Sequence, residues 1–525
     1  MLLIDWLRAD AKNFSDKTAA IFCGAKPPND RITFAELDQR SDRVAAYLHA
    51  QGIGPGDRVA LLYDNSIAAL CWFWGVLKVG AATVDVPGLA GRPTIQAILD
   101  EAKPKAICID PQQFAKHVGI EEPLHLPPLV LSTHEAFAAK AAVASLERGV
   151  ELLDDILAQY EPRTVAPDVT EDDVALIVYT SGTTGMPNGV MLSHRNFISN
   201  LTAGNELMQL TSDDSILVVV PLYYVHGRMQ LLWHTMLGGT MVFSAGFQFP
   251  QKVLQELAQY ATTGFSGVPY HFKQLLDRSK IAETPLPALR YVLVTGGALP
   301  MEELKRLQLA LPTTEIHLAY GQTEAAPRIT WIGPRELFFK EGSVGRALPN
   351  VKLEILGAHE EPLPAGQVGE VAAGGPNIMK GYVSGDHVAL GKIDAQGRLR
   401  TGDLAYLDED GHLFLVGRSS EMIKSAGERI FPQEIEDVLA KHPRVEEVAV
   451  IGVKDPTLGE RIVAYVKLRD GGSIEPSELK AHCLKSLPFV RVPKTFVIKD
   501  ELPKTGSGKV SRGALKLDAD ANPPQ

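Results

Sequence analysis

The sequence predicts an α/β protein: a large N-terminal domain of two α/β subdomains plus a small β-barrel-like subdomain, followed by a small α+β C-terminal domain. Three observations carry this. Short apolar runs alternate with helical patterns up to about residue 340, as in parallel sheets covered by helices. Short strands separated by Gly- and Pro-rich turns then take over. And 525 residues exceed what one hydrophobic core organises, so at least two domains are expected.

Residues 34–54 read as an amphipathic helix that ends at Gly52 and Gly54. The most apolar run, Ile67 to Leu77, stops at Lys78; it is too short to span a bilayer and reads as a buried helix with Asn65 or Ser66 as N-cap. Buried strands are expected at Val59–Leu62, Ala175–Val178, Ile216–Val220 and Tyr291–Val294, with helices at Pro250–Tyr260 and Met301–Leu311. Pro250 suits a first helical position, where its missing N–H costs nothing. Strands at Val351–Leu356, Gly369–Ala373 and His412–Val416 mark the β-rich part, about 340–419. Beyond it come a helix at Gln433–Lys441 and strands at Val445–Val453 and Ile462–Leu468; Asp518–Gln525 read as disordered. The boundary is placed between residues 419 and 420, giving domains 1–419 and 420–525.

Apolar residues make up 45% and charged residues 22%, as in a globular enzyme, and the net charge of −11 gives no overall attraction for nucleic acid or an anionic membrane. Cys23, Cys71, Cys108 and Cys483 are far apart and form no metal-ligand spacing, which fits a reduced, cytoplasmic compartment. Asp5 and Arg8 interrupt the N-terminus too early for a secretory signal, and no membrane span is expected.

The most informative segment is Tyr179-Thr180-Ser181-Gly182-Thr183-Thr184-Gly185-Met186-Pro187-Asn188-Gly189-Val190, which follows the strand at Ala175–Val178. Glycines let the backbone approach an anion, and exposed N–H groups and hydroxyls then donate to phosphate oxygens. The string resembles the signature loop of the adenylate-forming superfamily, which includes acyl-CoA synthetases, firefly luciferase and peptide-synthetase adenylation domains. Four further segments agree, in order: Tyr320-Gly321-Gln322-Thr323-Glu324, Leu399-Arg400-Thr401-Gly402-Asp403, Gly417-Arg418 with Ile423–Ile430, and Leu502–Lys509. The resemblance is closest to the acyl-CoA ligases. It implies ATP-dependent activation of a carboxylic acid to acyl-AMP, release of pyrophosphate, and transfer of the acyl group to coenzyme A.

The resemblance also implies roles. Thr180, Ser181, Gly182, Thr183, Thr184, Gly185, Asn188 and Gly189 cradle phosphates. Thr323 donates to the α-phosphate and Glu324 holds Mg²⁺. Tyr320 and Gly321 lie at the adenine, with Gly296, Gly297 and Ala298 lining the base site. Asp403 accepts from the ribose hydroxyls, supported by Arg418. Lys509 bridges the acid and the α-phosphate. A mobile C-terminal domain rotates about a hinge at Ser420, withdrawing Lys509 and bringing Gly427 to a tunnel for the pantetheine thiol. The acyl pocket is placed near Tyr223, Tyr224, His226 and Gly227, near Gly267 and Val268, and near Leu318 and Ala319.

Two residues depart from the family pattern: Asn188 stands where a lysine neutralises β/γ-phosphate charge, and Ser420 replaces the usual hinge Asp or Lys. Arg195 either compensates for Asn188 or is a solvated helix-start residue. His226 is read as a gate for the thiol, a substrate contact or a packed core histidine. The Phe-Asp pair that binds an α-amino group is absent from Leu222–Met229, so an α-amino acid is not expected. An apolar pocket with several Gly and Ala suits a medium-to-long or bulky acyl chain. Arg228 and Arg328 either meet a second polar group on the acid or are solvent-facing or structural. Two rival readings stay open: an acyl-AMP ligase that loads a phosphopantetheinyl carrier protein, and a nucleotide-binding protein with weak or no catalysis. A homodimer is also left open.

Overall fold

Local sequence explains why the elements begin where they do. Thr33 caps the helix Phe34–Ala50 reciprocally with Glu36, and Ser66 Oγ accepts from Ala69 N–H (3.2 Å) at the start of Ile67–Lys78. The latter helix runs one residue past the expected stop. Lys78 is fully buried, and its ammonium is held by Asp38 at 2.6 Å and Asp42 at 2.7 Å, both from Phe34–Ala50. Near the C-terminus Asp518–Ala521 belong to the helix Arg512–Ala521, whose Leu515 and Ala519 are buried, so the expected disorder is corrected there. In this computed structural model the described residues are 1–25, 30–117, 124–133, 150–164, 167–180, 187–385, 391–425, 428–469, 471–504 and 510–521.

The chain divides into two units: Met1–Glu341 with Gly345–Lys352 and Ala373–Leu399, and Gly342–Val344 with Leu353–Ala372 and Arg400–Gln525. The first unit contains two mixed sheets. Among the described residues one has nine strands, in the order Arg346–Ala347, Arg328–Ile332, Glu315–Gly321, Tyr291–Thr295, Gly264–Gly267, Ser215–Val218, Thr240–Phe243, Thr18–Phe22, Arg31–Thr33. The pairings from Glu315–Gly321 through Thr18–Phe22 are parallel, and the edges are antiparallel. The other sheet runs Gly381–Tyr382, Asn188–Ser193, Val174–Thr180, Ala82–Asp85, Arg58–Leu62, Ala106–Ile109, Leu129–Ser132, Glu151–Leu152, again parallel at its centre. The expected largely parallel α/β architecture is therefore present. Each sheet packs helices onto an apolar cluster, one around Phe265, Phe272 and Val292, the other around Val84, Ile107 and Ile177.

The second unit holds most of a four-stranded sheet, Lys352–Leu356, Gly369–Gly374, Leu399–Leu407 and Leu413–Arg418, and a C-terminal sheet around the long hairpin Val445–Asp455 and Gly459–Leu468. All four cysteines are buried and unpaired. Among the described residues no helix is long and apolar enough to cross a membrane.

Candidate active site

Parallel strands collect their carboxyl ends on one edge, where open α/β sheets bind ligands. In the nine-stranded sheet, Gly267 is in register with Val294, and Thr295 with Ala319. Gly267, Gly296–Ala298 and Tyr320–Glu324 therefore leave adjacent strands side by side. Gly296, at φ +81°, turns the chain, and Gly296, Gly297 and Ala298 are exposed at the strand end. Gly321 has to be glycine, because a β-carbon there would collide with the Pro327 carbonyl oxygen.

Thr323–Ala325 form a short 3-10 turn. Glu324 in it is buried, and its carboxylate accepts one hydrogen bond at Oε1, from the Tyr382 hydroxyl at 2.7 Å. Burial and the neighbouring carboxylate push the Tyr382 phenol well up, so it remains a donor. Among the described residues Oε2 has neither a hydrogen bond nor a cationic partner. A buried carboxylate with one oxygen anchored and one free fits a hydrated Mg²⁺, which needs only one or two protein carboxylates beside phosphates. The following turn, with Ala326 in left-handed conformation (φ +55°), is clamped by two asparagines. Asn200 Nδ2 donates to the carbonyls of Ala325 (3.3 Å) and Arg328 (2.8 Å), and Asn377 Nδ2 to the same pair at 3.0 and 3.2 Å.

The hydroxyl and glycine segment joins two antiparallel strands, Val174–Thr180 and Asn188–Ser193, with Thr180 opposite Asn188 and Tyr179 opposite Gly189. A β-carbon on Gly189 would lie 2.8 Å from the Tyr179 ring and 2.9 Å from Val383. One short segment couples this hairpin to Glu324. Met379 N–H donates to the Glu324 carbonyl (2.9 Å), Lys380 N–H to Met191 (2.9 Å) and Val383 N–H to Gly189 (2.8 Å). Tyr382 pairs with Val190 in the same strand register while its hydroxyl reaches Glu324. Tyr382, Asn200 and Asn377 were not singled out from sequence; Tyr382 is 58 residues from Glu324, and no local pattern announces the pairing. Arg195 does not compensate for Asn188: its guanidinium forks onto Asp172 (2.9 and 2.7 Å) and contacts Glu171 at 2.8 Å.

The residues expected around the acyl chain separate. Ala319, Ser266 and Leu293 share one face of the sheet by register, whereas Leu318 packs onto the apolar cluster of the other face. Gly227 is filled by close backbone packing, since its β-carbon would strike the Pro221 carbonyl oxygen. Tyr223 is buried beside Leu61, Tyr63 and Ala69, its ring 4.6 Å from that of Tyr224. Arg228 is buried and structural, not solvent-facing: it forks onto Asp85 (2.8 and 2.6 Å) and stacks over Phe73 at 4.1 Å. His226 Nε2 lies 2.8 Å from Ser266 Oγ, whose hydroxyl is in reach of the Leu293 carbonyl at 3.2 Å. With the Ser266 proton on Leu293, Nε2–H donates to Ser266 and Nδ1 is left as an acceptor.

Burial pushes His226 down to about 3, and His194, His234 and His271 to about 4, from 6.5. The unfolded chain therefore binds more protons between those values and 6.5, and stability falls as pH drops through that window. Each site contributes at most about 1.4 kcal/mol per pH unit. Thermal unfolding should shift steeply downwards between pH 6.5 and about 4.5; a midpoint unchanged from pH 7 to 5 would refute this account.

In the second unit, Asp403 and Arg418 face each other across Leu399–Leu407 and Leu413–Arg418, with Arg418 Nε 2.9 Å from Asp403 Oδ1. Gly402 (φ +77°) turns the chain before Asp403, and its N–H is held by Glu370 at 3.1 Å. Ser420 is exposed in a 3-10 turn. Lys504 and Val510 pair in an antiparallel bridge at the base of the segment carrying Lys509. Ser181, Gly182, Thr183, Thr184, Gly185, Gly427 and Lys509 lie outside the described residues.

Known proteins resemble this chain over most of its length. Residues 7–383 match the family described as AMP-binding enzyme, and residues 434–509 match the AMP-binding enzyme C-terminal domain. The chain is 32% identical over 536 residues to a putative acyl-CoA synthetase, YngI, of Bacillus subtilis (strain 168), covering 97% of this chain and 95% of that protein. It is 35% identical over 489 residues to a feruloyl-CoA synthase of Amycolatopsis sp, covering 92% and 93%. Among solved structures it is similar to ATP-bound MatB from Rhodopseudomonas palustris, with a TM-score of 0.84 and 27% identity over 99% of each chain. A match across most of the chain, by family model and by relatives alike, means that this protein belongs to the AMP-binding enzyme family.

Proposed function

We propose that the protein is an AMP-forming acyl-CoA synthetase of the cytoplasm, with a C-terminal domain that begins at Ser420. The observation that carries this reading is Glu324: a buried carboxylate, anchored at one oxygen and, among the described residues, without a partner at the other, coupled through Met379–Val383 to the hydroxyl and glycine hairpin. The names of the relatives, acyl-CoA synthetase and feruloyl-CoA synthase, support the same chemistry.

In the first half-reaction an oxygen of the acid bonds to the α-phosphorus of ATP as the bond to pyrophosphate breaks. Negative charge gathers on phosphate oxygens, so catalysis depends on positioning and positive charge. Thr180, Asn188 and the loop between them hold phosphates. Thr323 donates to the α-phosphate, and Tyr320 packs on the adenine beside Gly296–Ala298. Asp403 accepts from the ribose, with Arg418 orienting it. Glu324 would hold Mg²⁺, which when bound would neutralise phosphate charge. In the second half-reaction the CoA sulfur bonds to the acyl carbon and AMP leaves, with Gly427 lining the approach.

Pyrophosphate release across a panel of acids, with acyl-CoA measured in parallel, tests the reading. Release together with acyl-CoA formation is expected. Thioester formed only on a pantetheinylated carrier protein would change the acceptor, and silence across the panel would overturn catalysis. Asn188→Lys tests the departure in the phosphate loop. A charge-assisted contact is worth roughly 1.5–3 kcal/mol, so the KM for ATP should fall by about 10-fold or more; an unchanged or higher KM would show a site adapted to asparagine.

A further inference from the structure

Arg328 stands out on the sheet face that carries Ser266, the hydrogen-bond partner of His226. A register shift after Tyr320 sets Arg328 opposite Gly321 and Trp331 opposite Ala319, so both side chains share the face of Ala319. The residue is only 4% exposed. Its guanidinium lies 4.2 Å over Trp233 and 5.5 Å from the ring of Trp331. Among the described residues its side chain makes no hydrogen bond or ion pair, and Nη1 is buried without a partner. Arg228, equally buried, has its carboxylate in Asp85; Arg328 has none among the described residues.

Burial pushes the Arg328 pKa down to about 9, so it stays charged at neutral pH. The titratable groups it influences are Tyr291 and His226, both neutral there. Stacking on tryptophan returns only part of the cost of burying an uncompensated charge, and the ring faces satisfy no in-plane N–H donor. Packing alone would be served better by methionine or leucine. A cation kept under these conditions is suited to an anion that arrives with a ligand, and a guanidinium suits a planar oxyanion.

We propose that Arg328 recognises a second oxyanion on the substrate, which makes the preferred class carboxylic acids that carry a further carboxylate at the end remote from the reacting one. The inference rests on the acyl-activating reading, because that reading puts the acid on this face beside Ala319 and His226.

The test compares pairs of acids of equal length, one ending in a carboxylate and one in a methyl group, by kcat/KM for pyrophosphate release and by calorimetric binding. Wild type should favour the dicarboxylic acid by on the order of 10- to 100-fold. Arg328→Met should abolish or invert that preference, and Arg328→Lys should retain part of it. Arg328→Met should also melt at the same temperature or higher, because it removes an unpaired buried charge. Pyrophosphate release with the same acid preference in wild type and both variants would overturn the inference and leave the acyl-activating reading intact. No release with any acid, but binding of the dicarboxylic acid that depends on Arg328, would overturn that reading and keep the anion site. Binding that ignores Arg328 would remove the anion site outright.

Discussion

Lys509→Ala is expected to abolish pyrophosphate release from ATP and acid while sparing thioester formation from supplied acyl-AMP. The attacking carboxylate and the α-phosphate are both anionic, and their approach is the costly part of the first half-reaction. A single ammonium between them attracts both and gains as charge accumulates. Removing one preorganised neutral donor from such a site typically costs about 10²–10³ in rate, and removing a full charge should cost at least as much. In the second half-reaction the acid is already joined to the phosphate as a mixed anhydride and the nucleophile is a thiol attacking the acyl carbon, so no carboxylate has to approach the phosphate and this cation is not required. The Lys504–Val510 bridge ties the two ends of the segment that carries Lys509. The two partial reactions separate catalysis from folding: a misfolded variant loses both, and the expected variant loses one. Adenylation within a few-fold of wild type would remove Lys509 from the mechanism.

Much of this was legible because it is local. Period-2 and period-3.6 patterns located most of the elements, and Ser66 marked its helix start by the hydroxyl it offers. Misreadings came where a distant partner changes what a residue can do. Lys78 looked like the end of an apolar run, since an unpaired lysine is rarely buried; Asp38 and Asp42, from another helix, make its burial tolerable. Asp518 looked like tail, yet Lys499 at 2.7 Å and the buried Leu515 and Ala519 hold its helix. Leu318 and Ala319 were grouped as neighbours in sequence, but a strand sends adjacent side chains to opposite faces. Arg228 and Arg328 were indistinguishable in the sequence; only the position of Asp85 separates the paired one from the unpaired one. The motif glycines were legible as glycines, but the collisions that require them at 227 and 321 come from backbone brought close by the fold.

Glu324→Gln is expected to reduce pyrophosphate release by about 10²–10³-fold and to raise the Mg²⁺ concentration needed for half-maximal rate. Glutamine keeps the shape and one acceptor for the Tyr382 hydroxyl, so the turn clamped by Asn200 and Asn377 should survive. What it loses is the charge on the free oxygen. Tyr382→Phe separates anchoring from charge. It leaves the carboxylate intact but removes the one hydrogen bond that Oε1 accepts among the described residues, so the side chain is less firmly held. Removing a residue that orients a metal ligand costs about 10- to 100-fold in metal affinity or activity. Tyr382→Phe should therefore show the raised Mg²⁺ requirement and recover most of its rate at saturating Mg²⁺, whereas Glu324→Gln should not recover. A variant that is merely less stable would lose rate at every Mg²⁺ concentration without a shift in the midpoint. If Glu324→Gln kept the wild-type Mg²⁺ dependence, the free oxygen would not be the metal ligand, and the lone hydrogen bond from Tyr382 would be a packing contact between the hairpin segment and the 3-10 turn.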